Sequence, residues 1–206
     1  MDLTQIQRFI DESMEINHNW RQIRILGGEP TLHPQFTRII ELLASWRDQS
    51  SPQTEIEVVS NGYGKKVQSM LAKLPANISV NNTMKTSQIQ PFKSFNIAPT
   101  DLVEYDNVNY TNGCRVTAQA GIGLTPYGWY PCAIAGGIDR IFGYDLGYKS
   151  IPDNADDMHQ MMETFCRVCG HFKRRYEAPL EEHSISATWE QAYTKYRETP
   201  PSMTRY

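Results

Sequence analysis

The apolar positions of the first part of the chain alternate between helical and strand-like spacing. Apolar residues recur every three or four positions, as on a helix face, at 3–10, 36–46 and 67–74. Short runs rich in β-branched residues lie between these stripes at 23–25, 55–60 and 78–82. Strands and helices that alternate in this way are typical of parallel βαβ units with right-handed crossovers. The pattern therefore predicts an α/β fold built on parallel strands.

The pattern changes at about Pro91. Residues 91–150 are rich in Gly, Tyr, Pro and Asn and carry no clear helical stripe, so they predict loops and short strands. A helix is expected next, with Asp153 or Asn154 as its N-cap. Its apolar stripe consists of Met158, Met161, Met162 and Phe165. A last helix is predicted around "SATWEQAYTKYRE", before a tail that contains prolines.

Composition and charge narrow the function classes. The chain has 206 residues, of which 40% are hydrophobic and 21% charged, values that are ordinary for a globular protein. A formal net charge of −3, with no basic stripe, argues against a nucleic-acid partner. The start, "MDLTQIQRFIDESMEI", is amphipathic and acidic, unlike a signal peptide. No apolar run approaches the roughly 18 residues of a membrane span. A cytoplasmic protein with no membrane partner is expected.

The string "IRILGGEPTLHP" ends a short strand just before a helical stripe. In parallel α/β folds, ligands gather at the carboxyl ends of the strands. Gly27 and Gly28 lack Cβ atoms and so allow a ligand to approach the backbone. Glu29 adds a carboxylate that can accept a hydrogen bond from an ammonium group, and Pro30 ends the strand. For an isolated pair of glycines, a tight βα turn is the better explanation.

The full string "GGEPTLHP" resembles the second-strand motif of the radical S-adenosylmethionine (radical SAM) superfamily, which cradles the methionine amino group of SAM. "VVSNG" resembles the third-strand signature of that family, and "ISVNN" its fourth-strand pattern. The resemblance covers about residues 1–90 and implies a partial (β/α) barrel of parallel strands. It also implies a SAM site formed by Gly27, Gly28, Glu29, Pro30, Ser60, Asn61, Ser79 and Asn81.

All four cysteines lie in the second half of the chain: Cys114, Cys132, Cys166 and Cys169. In a reducing compartment, cysteines are more often metal ligands or free thiols than disulfides. The C-x2-C spacing of the last pair lets both thiolates point at one metal. Four thiolates suit tetrahedral zinc or a [4Fe–4S] cluster, and the residues themselves do not decide between them. Four unrelated buried cysteines are the alternative, which the concentration of all four in the second half of the chain disfavours.

The surroundings of the cysteines resemble the auxiliary-cluster modules called SPASM and twitch, which are appended to radical SAM barrels. Gly128 and Pro131-Cys132 match their G-x-x-P-C-like stretch, with the Gly-to-Cys spacing one residue shorter than in SPASM, and "FCRVCGHF" supplies the last pair. The resemblance implies a loop-rich module with one auxiliary [4Fe–4S] cluster, closer to the twitch form. The expected organisation is a partial barrel at 1–95, a four-cysteine module at 96–175, and a helix and tail at 176–206.

The C-x3-C-x2-C loop that holds the initiating cluster in this superfamily has no counterpart here, since no cysteine precedes Cys114. Either the chain lacks a segment that carries those cysteines, or it is a degenerate member that lost the chemistry. Whether it is an enzyme therefore stays open.

The resemblance implies a radical SAM enzyme, or a fragment of one, that acts on a peptide or small-molecule substrate with electrons from a reductant protein. The first alternative is an inactive scaffold or binding protein with a structural four-cysteine zinc or iron–sulfur site and a vestigial SAM pocket. A weaker one is an unrelated α/β domain with a zinc ribbon.

Overall fold

The computed structural model describes residues 1–87, 95–172 and 185–206. The chain divides into two compact units, Met1–Pro91 and Phe92–Tyr206, each of which is described by itself. Within the described ranges, no helix is long and apolar enough to cross a membrane. The expected boundary between 175 and 176 lies outside the described residues.

The first unit is a three-stranded parallel sheet with helices, which confirms the predicted α/β fold. The sheet has the order β1-β2-β3 and, in the part of the chain that is described, does not close into a barrel. Its elements are α1 (Leu3–Glu15), β1 (Gln22–Ile25), α2 (Phe36–Ser50), β2 (Glu55–Ser60), α3 (Lys65–Leu71) and β3 (Ser79–Asn82). The register pairs Ile25 with Val58 and Ser60 with Asn82, so the carboxyl ends of β2 and β3 lie side by side.

The two faces of this sheet differ in polarity. Successive side chains of a strand point to opposite faces, and in β2 the alternate residues Ile56 and Val58 are almost fully buried. On the other face Glu57 forms an ion pair with Arg24 of β1, with 2.9 Å between Oε2 and Nε. Helices α1 and α2 contact each other through Phe9 and Trp46, whose ring centroids are 6.0 Å apart. The core of the unit therefore lies on the apolar face.

The second unit has short elements around an aromatic core. They are α4 (Arg115–Ala120), β4 (Gly123–Thr125), β5 (Gly128–Tyr130), α5 (Ala133–Phe142), α6 (His159–Cys166) and α7 (Ala187–Glu198). Strands β4 and β5 form an antiparallel hairpin. The ring of Tyr130 packs edge-on against Phe165 at 5.8 Å. The fully buried Trp189 of α7 donates its indole N–H to the carbonyl of Val168 at 2.6 Å.

Two sequence predictions for this unit are wrong. The segment 91–150 was expected to lack helices but contains α4 and α5. Two glycines hide the apolar stripe of α5, and the first of them, Gly136, is buried. The N-cap of α6 is Met158 rather than Asp153 or Asn154. Asp153 instead accepts a hydrogen bond from the backbone N–H of Ala155 at 2.8 Å, which turns the chain before the helix begins.

The two adjacent glycines of α5 make a matched test of this packing. A Cβ at Gly136 would lie 2.5 Å from Thr125 Cγ2 and 3.1 Å from the ring of Tyr130, whereas a Cβ at Gly137 would contact nothing within 4 Å. We expect Gly137→Ala to raise the free energy of unfolding by about 0.5–1 kcal/mol through helix propensity. Gly136→Ala is expected to lower it by about 1–3 kcal/mol through overpacking. Urea unfolding of both variants measures the difference, and equal effects would contradict this account of the packing.

Candidate cofactor and metal sites

The loop after β1 presents an accessible stretch of backbone at the carboxyl edge of the sheet. Gly27 and Gly28 are exposed, and a Cβ built on either would contact nothing within 4 Å. Neither has a positive φ, so the local backbone does not require glycine at these positions. Pro30 begins a short 3-10 helix, Pro30–Leu32, that Glu29 caps. The two glycines therefore leave free space beside their peptide groups.

The carboxylate of Glu29 connects the loop after β1 to the end of β2. Its Oε1 accepts hydrogen bonds from the hydroxyl of Thr31 at 2.6 Å and the hydroxyl of Ser60 at 3.0 Å. It also accepts the backbone N–H of Thr31 at 3.2 Å, and its Oε2 accepts the backbone N–H of Asn61 at 2.8 Å. A carboxylate offers about four acceptor sites, so donors of the protein itself occupy those of Glu29.

The same contacts set the ionisation of Glu29. Burial raises the pKa of the carboxyl, but the hydrogen bonds donated by Thr31, Asn61 and Ser60 favour the anion and outweigh it, so the pKa lies below its usual value. Ser60 is 1% exposed, which keeps its hydroxyl on the carboxylate. Glu29 is therefore ionised at neutral pH and acts as a fixed connection between two loops.

The turn after β2 is held by Asn61 and packs against Asn82, a side chain that the sequence analysis did not select. Asn61 Oδ1 accepts the backbone N–H of Tyr63 at 2.8 Å, and Gly62 has φ +66°. A Cβ on Gly62 would lie 2.3 Å from Oδ1 of Asn82, so this side chain packs directly on the glycine. Asn82 and Thr31 both shape the edge. Thr31 lies within the "GGEPT" string, whereas nothing in the local sequence distinguishes Asn82 from its neighbours.

The structure does not bring Ser79 to this edge. Ser79 begins β3 and pairs with Glu57, three residues before Ser60, which places it about 10 Å from the carboxyl end. Its hydroxyl lies 3.2 Å from the carbonyl oxygen of Ile56, to which it donates. Asn81 pairs with Val59 and is exposed near the edge. Of the predicted SAM-site residues, Ser60 and Asn61 thus contact Glu29, and its chain neighbours lie beside it. Within the described residues, Asn81 makes no hydrogen bond to Glu29, and Ser79 is lower in the sheet.

The four cysteines come from four different places in the second unit and line one cavity. Cys114 caps α4, Cys132 precedes α5, Cys166 ends α6, and Cys169 precedes a 3-10 helix, Gly170–Phe172. The cavity measures about 10 Å³ and is also lined by His171, Thr117 and apolar side chains. Three of the four thiols are buried. The fold thus gathers all cysteines of the chain around one small apolar space.

Backbone amides point at several of the sulfur atoms. The N–H of Val116 donates to Cys114 Sγ at 3.4 Å. The amides of Ile134 and Ala135 lie near the sulfur of Cys132 and favour its thiolate, without the geometry of a full cap hydrogen bond. The amides of His171 and Phe172 do the same for Cys169. Partial positive charge at the start of a helical turn stabilises an anionic sulfur.

Burial of the thiols opposes the effect of the backbone amides and is the larger of the two. Burial raises the pKa of the Cys132 thiol, with a smaller contribution from Cys114, and raises the pKa of Cys169 to about 12. It also raises the pKa of Cys166 well above its ordinary value, and the other three sulfurs add to the rise. Without a cation in the cavity, these three thiols are therefore protonated at neutral pH.

The positions of the candidate ligand side chains determine whether they can hold a metal centre. Within residues 1–87, 95–172 and 185–206, no three His, Cys, Asp or Glu side chains converge closely enough to hold a metal ion. The cavity itself has room for about one water molecule. The ligands thus match a four-thiolate centre in identity and number, but their side chains must rearrange before any metal centre binds.

The connection made by Glu29 predicts how the edge responds to acid. Because the pKa of Glu29 is lowered in the folded chain, its stabilisation is present above the unfolded value of about 4.5 and is lost as pH falls through the folded pKa. Protection of the Asn61 and Thr31 amides from hydrogen exchange should fall over that acidic range. Glu29→Gln should remove this pH dependence and destabilise the edge by about 1–3 kcal/mol, since it loses an ionic acceptor. The exposed Glu41→Gln serves as the control, and an equal effect there would contradict the assignment.

The chain was compared with known proteins by sequence and by structure. It matches no protein-family model, no curated protein and no solved structure.

Proposed function

We propose that this chain is a radical SAM-type iron–sulfur enzyme, or part of one, that acts on a peptide or small-molecule substrate. Cys114, Cys132, Cys166 and Cys169 would hold an auxiliary [4Fe–4S] cluster, and the carboxyl edge of the parallel sheet would bind SAM. The single observation that carries the proposal is that all four cysteines of the chain line one apolar cavity. A reductant protein would be a partner, and the cytoplasm, where thiols stay reduced, the location.

The choice of a cluster over a single zinc ion rests on the resemblance to the auxiliary-cluster modules, because four thiolates suit either centre. Around zinc, each sulfur lies about 2.3 Å from one metal ion, which brings all four close together. In a [4Fe–4S] cluster each thiolate binds a different iron, so the sulfurs stay farther apart. Such a cluster, with four cysteine ligands, would supply one-electron transfer or a structural crosslink. Zinc is the alternative metal, because its thiolate ligands are the same.

At the sheet edge, different residues of this chain would have different roles in binding SAM. The carboxylate of Glu29 is saturated by Thr31, Ser60 and Asn61, so its role is to position those groups. The peptide groups of Gly27 and Gly28 are exposed and would accept the ammonium group of SAM's methionine part. Asn81 is exposed on the neighbouring strand β3 and would supply a further polar contact.

The alternative function is a catalytically inactive scaffold with a structural four-cysteine metal site. It is favoured by a specific observation: no cysteine precedes Cys114, so these residues contain no C-x3-C-x2-C loop. A cluster that cleaves SAM would then need cysteines from outside these 206 residues. Metal analysis and SAM binding distinguish the two functions.

Metal content tests the four-cysteine centre. Chain purified without oxygen should contain about four irons and four sulfides, with little zinc, as four-thiolate ligation of a cluster allows. Cys132→Ser should lose most of the iron, whereas Thr117→Ser, which changes the same cavity without removing a thiol, should retain it. One zinc per chain and no iron would support the scaffold alternative, and no bound metal would contradict both.

SAM binding tests the sheet edge separately. Gly28→Ala should leave the fold intact, since the added Cβ contacts nothing within 4 Å. It should weaken SAM binding about tenfold, equal to ~1.4 kcal/mol, because the methyl group occupies the space that the ligand needs. Gly137→Ala, an equally unobstructed glycine in the other unit, is the control. Equilibrium dialysis with labelled SAM gives the affinities. Wild-type chain that does not bind SAM, or an unaffected Gly28→Ala variant, would contradict the proposed site.

A further inference from the structure

The second unit contains a groove that the proposed function does not use. Its volume is about 500 Å³, within the roughly 300–1,000 Å³ of small-ligand sites. It lies among the 3-10 helix Tyr110–Asn112, the turn after α4 and the start of α6. The side chains that define its chemistry are Thr111, Asn112, Ile122, Asp157, Met158 and Met162. It is therefore a mixed site, with apolar and polar walls.

The apolar wall consists of unbranched and aliphatic side chains. Met158 and Met162 lie one turn apart, and the N–H of Met162 donates to the carbonyl of Met158 at 2.9 Å. Ile122 is 39% exposed, so its side chain is accessible to a ligand. Methionine adapts its shape to flexible aliphatic ligands. No Phe, Tyr or Trp lines the groove among the described residues, and the imidazole of His159 is the one aromatic ring there, so an aliphatic chain fits the apolar wall better than a stacked ring.

The polar side of the groove carries negative charge. In the described part of the chain, Asp157 is the one carboxylate that lines the groove, and no lysine or arginine does so. His159, which pairs with Asp157, is the one basic side chain there. Oδ2 of Asp157 lies 2.8 Å from Nδ1 of His159, and the Asp157 side chain is 61% exposed. Asn112 and Thr111 add neutral oxygens. The hydroxyl of Thr111 donates to Asn109 Oδ1 at 2.7 Å, which leaves its lone pairs as acceptors. These groups suit a ligand with several N–H donors and a positive charge.

We infer that this groove binds a primary ammonium group at the end of an aliphatic chain. A lysine side chain of a peptide and a free diamine share this chemistry. An ammonium has three donors and a full charge, which Asp157, Asn112 and Thr111 can accept, while Met158 and Met162 cover the methylene groups. The inference uses no cysteine and no residue of the sheet edge, so it stands independently of the proposed function.

The methionine methyl groups allow a direct test on the full chain. Two probes, Nα-acetyl-lysine methylamide and 1,5-diaminopentane, are titrated into chain labelled at its methionine methyls and followed by NMR. The signals of Met158 and Met162 should shift saturably, whereas those of the exposed Met14 and Met84, in the other unit, should not. The Nε-acetylated lysine probe, which has no charge, should cause no shift. Binding should weaken at high salt.

A matched pair of variants isolates the charge. Asp157→Asn keeps an oxygen that can accept the N–H of His159 but removes the charge, and should weaken binding about threefold to fivefold. Asp153→Asn makes the same change in an exposed carboxylate that caps a turn outside the groove, and should leave the affinity unchanged. Binding of the lysine probe alone identifies a peptide ligand, and binding of both probes identifies the ammonium itself as sufficient. No saturable shift, or equal affinity in Asp157→Asn and wild type, would overturn the inference.

Discussion

The second unit depends on one hydrogen bond between two fully buried side chains. The hydroxyl of Tyr130 donates to Oδ2 of Asp139 at 2.7 Å, and both residues are 0% exposed. The same oxygen accepts the N–H of Leu146 at 3.0 Å. A carboxylate is costly to bury unless it is hydrogen-bonded, and Oδ1 of Asp139 has no such partner in the described part of the chain. Because Tyr130 ends β5 and Asp139 lies in α5, this bond sets the turn that carries Cys132.

The first unit uses a carboxylate in a related way but completes its hydrogen bonds. Glu29 is only partly buried, and Thr31, Ser60 and Asn61 occupy its acceptor sites. Both carboxylates therefore fix a loop next to residues of functional interest: Asp139 beside Cys132, and Glu29 beside Gly27 and Gly28. The two carboxylates differ in the groups that they leave free to bind a ligand. A saturated carboxylate orders the surrounding backbone, so the groups left to bind a ligand are peptide carbonyls and amides.

The sequence predicted the features that depend on local periodicity and missed those that depend on distant packing. The parallel sheet follows from alternating strand and helix patterns, and the meeting of Glu29 with Ser60 and Asn61 follows because carboxyl ends of parallel strands share an edge. Helix α5 was missed because Gly136 interrupts its stripe. That glycine is explained by the nearby ring of Tyr130, which lies in another element. The distance of Ser79 from the carboxyl end of the sheet depends on the register of β3. A short polar strand specifies its register only weakly, so the sequence did not predict this distance.

The cysteine cavity combines two opposing electrostatic effects, and a cation reconciles them. Amides near the sulfurs of Cys132 and Cys169 favour thiolates, whereas burial and the neighbouring sulfurs raise the pKa of both. Neutral thiols alone do not need amides directed at them, because S–H groups pack as small hydrophobes. A bound cation would displace the thiol protons and turn the amides into stabilising contacts. Its binding energy would then add to the folding energy of a unit with few regular elements, as in other thiolate metal sites. This electrostatic argument supports the proposed metal centre against the alternative of four unrelated buried cysteines.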